Sequence, residues 1–280
     1  MLAASCLVCS WAGRAQDVRT VEESLACAEA AFAERYLEER MQQAIEQYER
    51  LLVTLDASDP DLETRTHVLN RLAQLCYEIT TFSPGDTEED RLWFELGKAY
   101  GLQSLRLDPR FSRWEGERFD DAVAGVTDPA ALLWTANNWG GLCGMDPIKG
   151  LLESGKVRML YERCVMVDEA YWGASAHNAL GAMKMVAPQV LGGDPQTAAE
   201  HLEAAISLAP DYLINRVVRA QYRGFSYDFF GQASGVRNAG FIEQELGMVL
   251  DAEIGGWPFW NREAKKEAEA LLVKLAEMMK

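Results

Sequence analysis

Residues Gly173–Pro210 read GASAHNALGAMKMVAPQVLGGDPQTAAEHLEAAISLAP, and this stretch contains two helical patterns separated by a corner. The corner, Pro188–Gly193, combines a proline with two consecutive glycines. Asp194 then stands where a helix cap belongs. Pro195 suits the first turn, because the N–H that proline lacks would be unpaired there in any case. The stretch therefore predicts two consecutive helices joined by a tight connection.

The second of these helices carries a repeat signature. Ala198, Leu202, Ala205 and Ile206 share one helix face, and Pro210 ends the pattern. This spacing is typical of the second helix of a tetratricopeptide repeat, in which small residues let neighbouring helices approach closely. Because one such helix pair cannot bury its apolar face alone, the signature implies stacked partner helices.

The same spacing occurs twice more upstream. Its positions are Gly97, Gly101, Ser104 and Leu105 in one copy, and Ala44, Tyr48, Leu51 and Leu52 in the other. The copies do not follow the regular period of about 34 residues, which indicates long insertions between them. We predict an all-α fold, an irregular tetratricopeptide-like α-solenoid of antiparallel helix pairs.

The composition is that of an ordinary globular protein. Of the 280 residues, 49% are hydrophobic and 25% are charged, which excludes an intrinsically disordered chain. The formal net charge is −16, and no cluster of lysines and arginines offsets it. Because so acidic a surface repels phosphate backbones, we expect no nucleic-acid partner.

The first residues resemble the end of an export signal. Residues 1–12 are mostly apolar and small, and Gly13–Ala15 precedes a polar segment as a small-x-small cleavage site would. We predict a leader over 1–15 and a single helical-repeat domain over 16–280. Alternatively, Cys6 is a lipidation cysteine that anchors the protein to a membrane. Beyond residue 15 no apolar run is long enough to span a bilayer.

Helical periodicity covers most of the remaining chain. Two segments interrupt it, the insertion Phe111–Thr127 and the glycine-rich Gly140–Gly155, and irregular segments between packed helices often line binding surfaces. No segment alternates apolar and polar residues, so no strand is predicted. Helices are expected over Val157–Val167, Ala174–Ala187, Pro195–Leu208, Tyr212–Phe225 and Phe241–Ala252.

No motif predicts a cofactor or a metal site. Gly150–Lys156 matches the pattern GxxxxGK, but Val157 stands where a phosphate loop needs a hydroxyl group, and no strand precedes it. His67, His177 and His201 lack the spacing of metal ligands or of a catalytic triad. We therefore predict no cofactor and no catalytic residue.

The cysteines give no clear signal. None of those beyond the leader forms a CxxC pair, and two of them lie on apolar helical stripes, which favours small buried core residues. The sequence leaves open whether a disulfide joins any of them. They are Cys27, Cys76, Cys143 and Cys164.

One short segment combines aromatic and amide side chains. Its four residues are Trp134, Asn137, Asn138 and Trp139. Apolar area beside amide groups suits either a ligand groove or a buried helix junction, and Gly140 could also simply end the helix. His177 and Asn178, at the start of a predicted helix, either cap it or face a cleft. We expect these six residues to help line a cavity that contacts a ligand or a partner.

The order of landmarks resembles the T-component family of TRAP transporters (TatT-like proteins). The resemblance covers about 30–255, is densest over 130–210, and departs from the family pattern at Ala176–Asn178. The landmarks are Ala131–Gly140, Val157, Leu160–Arg163, Asp168–Tyr171, His177–Gly181, Ala187–Pro188, Gly192–Asp194 and Ala199–Ile206. The resemblance implies a periplasmic, oligomeric α-solenoid with a groove or pore. It would bind an extracytoplasmic solute-binding protein and a small hydrophobic ligand, without enzymatic activity.

Two other function classes compete with this one. A generic tetratricopeptide scaffold of the cell envelope would bind peptides, although such proteins usually carry rows of basic and amide residues that this acidic chain lacks. A hydrolase on a helical toroid would need paired carboxylates in an aromatic pocket. Glu162 and Asp228 are its only starting points.

Overall fold

Helices form nearly all of the chain that the computed structural model describes, which is residues 20–57, 61–82, 87–228 and 231–280. The predicted leader over 1–15, with Cys6, lies outside these residues. The prediction of an all-α fold is confirmed. The α-helices of the described residues are α1 (Val21–Ala33), α2 (Glu38–Ala57), α3 (Leu62–Phe82), α4 (Thr87–Leu105), α5 (Pro109–Trp114), α6 (Phe119–Ala124), α7 (Pro129–Met145), α8 (Pro147–Val167), α9 (Tyr171–Val186), α10 (Pro195–Leu208), α11 (Ile214–Gly224), α12 (Ala239–Asp251) and α13 (Pro258–Met278).

Consecutive helices pack extensively in the pairs α1–α2, α3–α4, α7–α8 and α9–α10, and α4 packs as extensively on α7 as on α3. Only Asp146 separates α7 from α8. Two helices that pack along each other across so short a connection run antiparallel. Asp194 caps α10 as predicted, because its carboxylate accepts the N–H groups of Gln196 and Thr197 at 3.1 and 3.2 Å.

The three repeat signatures mark buried faces of α2, α4 and α10. Every signature position in these helices is buried except Ile206, which is half-buried. Gly97 and Gly101 lie so close to Asn138 and Thr135 of α7 that an added Cβ would collide with those side chains. The small residues therefore do what the repeat pattern predicts and let neighbouring helices approach closely.

The prediction that Gly140–Gly155 interrupts the helices is wrong. α7 continues to Met145 and α8 begins at Pro147, so only Asp146 is non-helical, and Gly140 does not end a helix. The glycines in this segment allow close packing and do not turn the chain. A Cβ on Gly141, for example, would stand 2.7 Å from the ring of Phe94. The insertion Phe111–Thr127 also contains helix, namely most of α5 and all of α6.

A short hairpin corrects the prediction of no strands. α11 stops at Gly224, and β1 (Phe225–Tyr227) pairs antiparallel with β2 (Ala233–Val236). The chain leaves the helix where a Cβ on Gly224 would collide with Ile242 of α12. Two strands of three and four residues were too short to give a recognisable alternation.

The buried apolar residues form two clusters. The larger extends from α1 through α9 and includes Phe259 and Trp260 at the start of α13. The smaller joins α11, β1, α12 and the rest of α13. Ile214 packs against both clusters, so the first turn of α11 links the two parts of the core.

Two of the four cysteines are buried in the core, whereas Cys27 and Cys143 are only half-buried. No disulfide joins the four cysteines within the described part of the chain, and Cys76 and Cys164 are buried as predicted. Burial raises the pKa of the Cys143 thiol to about 11, so this thiol stays protonated at neutral pH.

Among the described helices, none combines the length and the hydropathy that crossing a membrane requires.

The packing of α9 on α10 gives a test of the helix register. Ala205 is fully buried. Replacing it with phenylalanine overpacks this contact and is expected to lower the free energy of unfolding by about 1–3 kcal/mol or more. Urea unfolding followed by circular dichroism measures the change. The control is Ala270→Phe, the same substitution at an exposed position of α13. Equal stability of the two variants would contradict the assigned register.

Candidate functional site

A cavity of about 190 Å³ lies among the helices of the larger cluster. Its wall is built by α3, α7, α8, α9, α11 and α13, together with the residue Tyr212 that precedes α11. All of its lining residues are uncharged. They are Tyr77, Trp134, Asn137, Tyr161, Ser175, Asn178, Ala179, Ala182, Tyr212, Ile214, Val218, Tyr222 and Trp260.

Six of the thirteen lining residues of the cavity are aromatic. The ring centroid of Tyr77 lies 6.2 Å from those of both Trp134 and Trp260. Burial raises the pKa of Tyr77 to about 12, and it raises the pKa values of Tyr161 and Tyr212 well above their usual range. These phenols therefore stay neutral at physiological pH and present hydroxyl groups rather than charges.

Two asparagine side chains, Asn178 and Asn215, are hydrogen-bonded to each other at one side of the cavity. The Asn215 amide nitrogen donates to the backbone carbonyls of Gly173, Ala205 and Ala209 at 3.1, 2.8 and 3.1 Å. The Asn215 carbonyl oxygen accepts the amide nitrogen of Asn178 at 2.5 Å. The second polar atom of Asn178, its Oδ1, is buried without a hydrogen-bond partner among the described residues. The chain of amides thus ends in an unused acceptor on a residue of the cavity wall.

Asn137 contributes a second amide to the wall. Its Oδ1 accepts the hydroxyl proton of Tyr161 at 2.8 Å. Its amide nitrogen makes no hydrogen bond to another described residue, and the side chain is only half-buried. Asn137 therefore keeps a donor that water or a ligand can use.

A left-handed turn at the start of α9 positions another part of the wall. Trp172, Gly173 and Ala174 have φ values of 47°, 67° and 59°. This region costs a residue with a Cβ about 1–2 kcal/mol. Gly173 lies so close to the ring of Tyr212 that an added Cβ would collide with it. The turn and the hydrogen bond from Asn215 together hold Tyr212 in place, and regular helix begins after Ala174, as predicted.

Three of the six predicted site residues line the cavity, namely Trp134, Asn137 and Asn178. Asn138 and Trp139 do not. The amide nitrogen of Asn138 is buried and donates to the carbonyls of Ala73 and Trp134, both at 2.8 Å. The Trp139 indole N–H donates to the carboxylate of Glu153, and the Lys98 ammonium lies 3.7 Å from the centre of its ring. Both residues therefore join helices instead of facing the cavity.

His177, the remaining predicted residue, also lies outside the cavity wall. Its Nδ1 is 2.9 Å from Nδ1 of His201 in α10, and its Nε2 is buried without a hydrogen-bond partner. Burial lowers the pKa of His177, although the carboxylate of Glu169, 4.0 Å from Nε2, partly opposes the shift. Burial and the neighbouring His177 also lower the pKa of His201. Both rings are thus held in the neutral form.

A buried carboxylate that does not itself line the cavity holds one of the lining residues in place. Glu78 is fully buried, and it accepts hydrogen bonds from Arg35, Gln74 and Trp260. The two bonds from the Arg35 guanidinium measure 2.5 and 3.0 Å, the bond from Gln74 measures 2.7 Å, and that from the Trp260 indole 3.0 Å. We call these four residues the Glu78 cluster. It fixes Trp260, and with it one wall of the cavity.

Sequence reasoning missed most of the wall. The missed residues on α9 follow a helical spacing with Asn178, since Ser175, Ala179 and Ala182 occupy the same face. A face of small residues beside an asparagine leaves space, and this signal was present in the sequence. The tyrosines gave no such signal, because Tyr77 and Tyr161 come from helices far apart in the chain.

No group of three or more His, Cys, Asp or Glu residues suited to a metal ion occurs in the described ranges. Glu162 pairs with Arg158 at 3.0 Å on α8, and Asp228 is exposed after β1. Neither carboxylate lines the cavity.

Comparison with known proteins agrees with the resemblance found in the sequence. The sequence model of the family described as TRAP transporter T-component matches residues 95–279. This range contains all the lining residues of the cavity except Tyr77. No curated protein matches the chain.

The Glu78 cluster yields a stability prediction. Glu78→Gln leaves the Arg35 guanidinium buried without its counter-ion, and we expect a loss of about 3–5 kcal/mol in the free energy of unfolding. Glu46→Gln is the matched control, because Glu46 pairs with Arg50 at 3.4 Å on an exposed face of α2, where a loss below about 1 kcal/mol is expected. Urea unfolding measures both. Similar losses would show that the cluster is not a buried ion pair.

The histidine pair predicts a pH dependence. In the folded state both pKa values lie below the ordinary value of 6.5, so the unfolded chain binds protons more readily. Their contribution to stability is therefore full above the unfolded pKa and is lost as the pH falls. We expect the free energy of unfolding to decrease between about pH 7.5 and about pH 5.5.

Urea unfolding at the two pH values tests this prediction. The double variant His177→Gln/His201→Gln removes both titrating groups, and it should show a smaller decrease than the parent. Besides Glu169, the charged groups that influence the pair are Lys184, Glu162 and Glu200, and they are unchanged in the variant. An equal decrease in parent and variant would rule out the histidine pair as its source.

Proposed function

Because the chain belongs to the TRAP transporter T-component family, we propose that it is a non-enzymatic periplasmic accessory component of a TRAP-type transport system. In this role it binds the extracytoplasmic solute-binding protein of that system and receives a small ligand in its cavity. A homo-oligomer is a further part of this proposal that the resemblance supplies. A lipid anchor at Cys6 is the alternative to a cleaved leader that the N-terminal sequence offers.

The cavity is the observation that carries the proposal. Small-molecule sites are concave, lined mostly by apolar and aromatic side chains, and supplied with a few polar groups that fix the ligand. The cavity combines aromatic walls with the amides of Asn137 and Asn178, and it lies within the region that the family shares. Several lining residues, among them Ala182, Val218 and Tyr222, are only half-buried, which leaves a path to solvent.

The two competing functions make different demands. A peptide-binding scaffold needs basic side chains that hold carboxylates, whereas no lysine or arginine lines this cavity. A hydrolase needs a carboxylate at its pocket, and Glu162 and Asp228 lie elsewhere. Binding to a TRAP solute-binding protein from the same organism, measured by isothermal titration calorimetry, tests the transport role. If the solute-binding protein does not bind, the proposed transport role is wrong.

The two neighbouring asparagines distinguish a binding role from a structural one. Asn137→Ala removes an amide on the cavity wall together with the acceptor of the Tyr161 hydroxyl group, so the melting temperature should fall modestly while affinity for the substrate-loaded partner falls about tenfold, or 1.4 kcal/mol. Asn138→Ala removes two buried hydrogen bonds and opens a gap against Gly97, so it should lower the melting temperature more and leave the affinity of the folded protein unchanged. If both variants bind normally, Asn137 is not part of the site.

A further inference from the structure

The outer face of α8 is apolar although it lies on the surface of the protein. In a helix with 3.6 residues per turn, six positions of α8 share this face. We call them the α8 stripe, and they are Ile148, Leu151, Leu152, Gly155, Met159 and Met166. Four of these side chains, all except those of Gly155 and Met159, are between 66% and 76% exposed. A continuous exposed apolar face marks an interaction surface, whereas single exposed apolar residues are common.

The opposite face of α8 already packs in the core of the protein. Its buried residues are Val157, Leu160, Tyr161 and Cys164. α8 is therefore apolar on two opposite sides, whereas a surface helix of a globular protein typically has a polar outer face. The fold covers one of these sides and leaves the α8 stripe uncovered.

Gly155 gives a second, independent sign that another helix packs on this face. It is exposed near the middle of the α8 stripe, and no atom outside its own turn of helix lies within 4 Å of the position of a Cβ. A glycine in such a position costs a helix about 1 kcal/mol relative to alanine. Within this molecule, Gly97 and Gly101 let α4 approach α7 closely. A second helix packed on the α8 stripe would give Gly155 the same role.

A second copy of α8 fits the stripe when the two helices run antiparallel. Positions 155 and 159 are equally far from position 157, and so are positions 148 and 166. About a twofold axis at that level, Gly155 lies opposite Met159 of the second copy, and Ile148 lies opposite Met166. Each of these contacts occurs twice, as twofold symmetry requires. The flexible side chain of Met159 can then fill the gap that Gly155 leaves.

Lysines flank the N-terminal half of the α8 stripe. They are Lys149, which is half-buried, and Lys156, which is exposed. The carboxylates of this half are occupied within the chain. Asp146 accepts two N–H groups at the start of α8, at 2.9 and 3.1 Å, and Glu153 pairs with Lys98 at 3.4 Å. This half therefore presents positive charge to a partner.

The C-terminal end of the stripe is acidic. Asp168 and Glu169 follow Met166 and are exposed, whereas Glu162 is paired with Arg158 at 3.0 Å. An antiparallel pair directs the lysines of one copy toward the exposed carboxylates of the other, and it also aligns the two helix dipoles favourably. A parallel pair would place like charges beside each other. Charge therefore favours the same orientation as the side-chain shapes.

We propose that the α8 stripe is the contact between two copies of this chain, packed antiparallel about a twofold axis. The proposal rests on the proposed function in one respect, because it gives the homo-oligomer a surface and a symmetry. From Ile148 to Met166 the stripe is about 27 Å long and about 10 Å wide. This area is smaller than the roughly 800 Å² that each partner contributes to a standard interface. We therefore expect a dimer that dissociates in the micromolar range.

Sedimentation equilibrium of the full chain over the micromolar range tests for the dimer. Gly155→Leu fills the gap that Met159 of the second copy needs, so it should weaken dimerisation at least about tenfold. The same substitution replaces an exposed helical glycine with a better helix former, so it should raise the melting temperature of the dissociated protein. A structural role of Gly155 within the monomer would lower that temperature.

Gly247→Leu is the matched control. Gly247 lies in α12, and no atom outside its own turn of helix lies within 4 Å of its Cβ position either. The control should leave dimerisation unchanged. Loss of the dimer in both variants, or in neither, would overturn the proposal.

Disulfide crosslinking tests the orientation of the two helices. A mixture of Ile148→Cys and Met166→Cys should crosslink under mild oxidation, because antiparallel packing brings these two positions together. Each variant alone should crosslink no more than the parent, which carries the same native cysteines. Crosslinking of each variant with itself would show parallel packing, and an absence of crosslinks above the parent in every sample would show no pairing of α8. Either result contradicts the proposal.

A chain that stays monomeric, or an assembly with an odd number of copies, also overturns the proposal. Leu152→Glu then identifies what covers the stripe instead. If this variant weakens binding of the solute-binding protein, the stripe belongs to that partner. If it reduces co-sedimentation of the chain with vesicles that contain anionic phospholipid, the stripe faces a membrane. The net charge of −16 opposes this last outcome.

The failure of this proposal is distinguishable from the failure of the transport role. If the chain is monomeric but binds the solute-binding protein, only the dimer is wrong. If the α8 stripe forms the dimer but the solute-binding protein does not bind, the contact stands in a protein with another role.

Discussion

One buried carboxylate, that of Glu78, holds together parts of the structure that are far apart in the chain. It joins the segment after α1, through Arg35, to α3 and to the start of α13, through Trp260. A buried charge is tolerated only when it is paired and hydrogen-bonded, so the members of the cluster are constrained together. Since Trp260 and Tyr77, the neighbour of Glu78, both line the cavity, the shape of the cavity depends on this interaction.

The cavity is neutral although the protein carries a formal net charge of −16. The negative charges lie on solvated helix faces or, as in Glu78, are neutralised behind the wall. Amides and phenols supply the polarity instead, and three backbone carbonyls set the orientation of the Asn215 amide, to which Asn178 donates. These bonds fix one orientation of Asn215, because turning its amide over would direct an acceptor at three carbonyl oxygens.

The sequence predicted the helices and their buried faces well, because the spacing of Ala198, Leu202 and Ala205 has one physical meaning in a helix. It failed at Gly140–Gly155, where glycines allow close packing, an effect that depends on a neighbouring helix and not on local conformation. For the candidate site, amide and aromatic residues marked the part of α7 that lines the cavity. However, only the direction of each side chain separates Asn137 from Asn138, and that direction follows from tertiary packing.

Trp260 reaches Glu78 across 182 positions of the chain. A polypeptide made from its N-terminus therefore exposes the aromatic faces of α3 and α7 for as long as α13 is missing. Contacts of such sequence separation form late, because loop closure must precede them. Until then the incomplete cavity wall is an exposed apolar surface of the kind that chaperones bind. The nascent chain is therefore prone to aggregation until α13 has been synthesised and has packed.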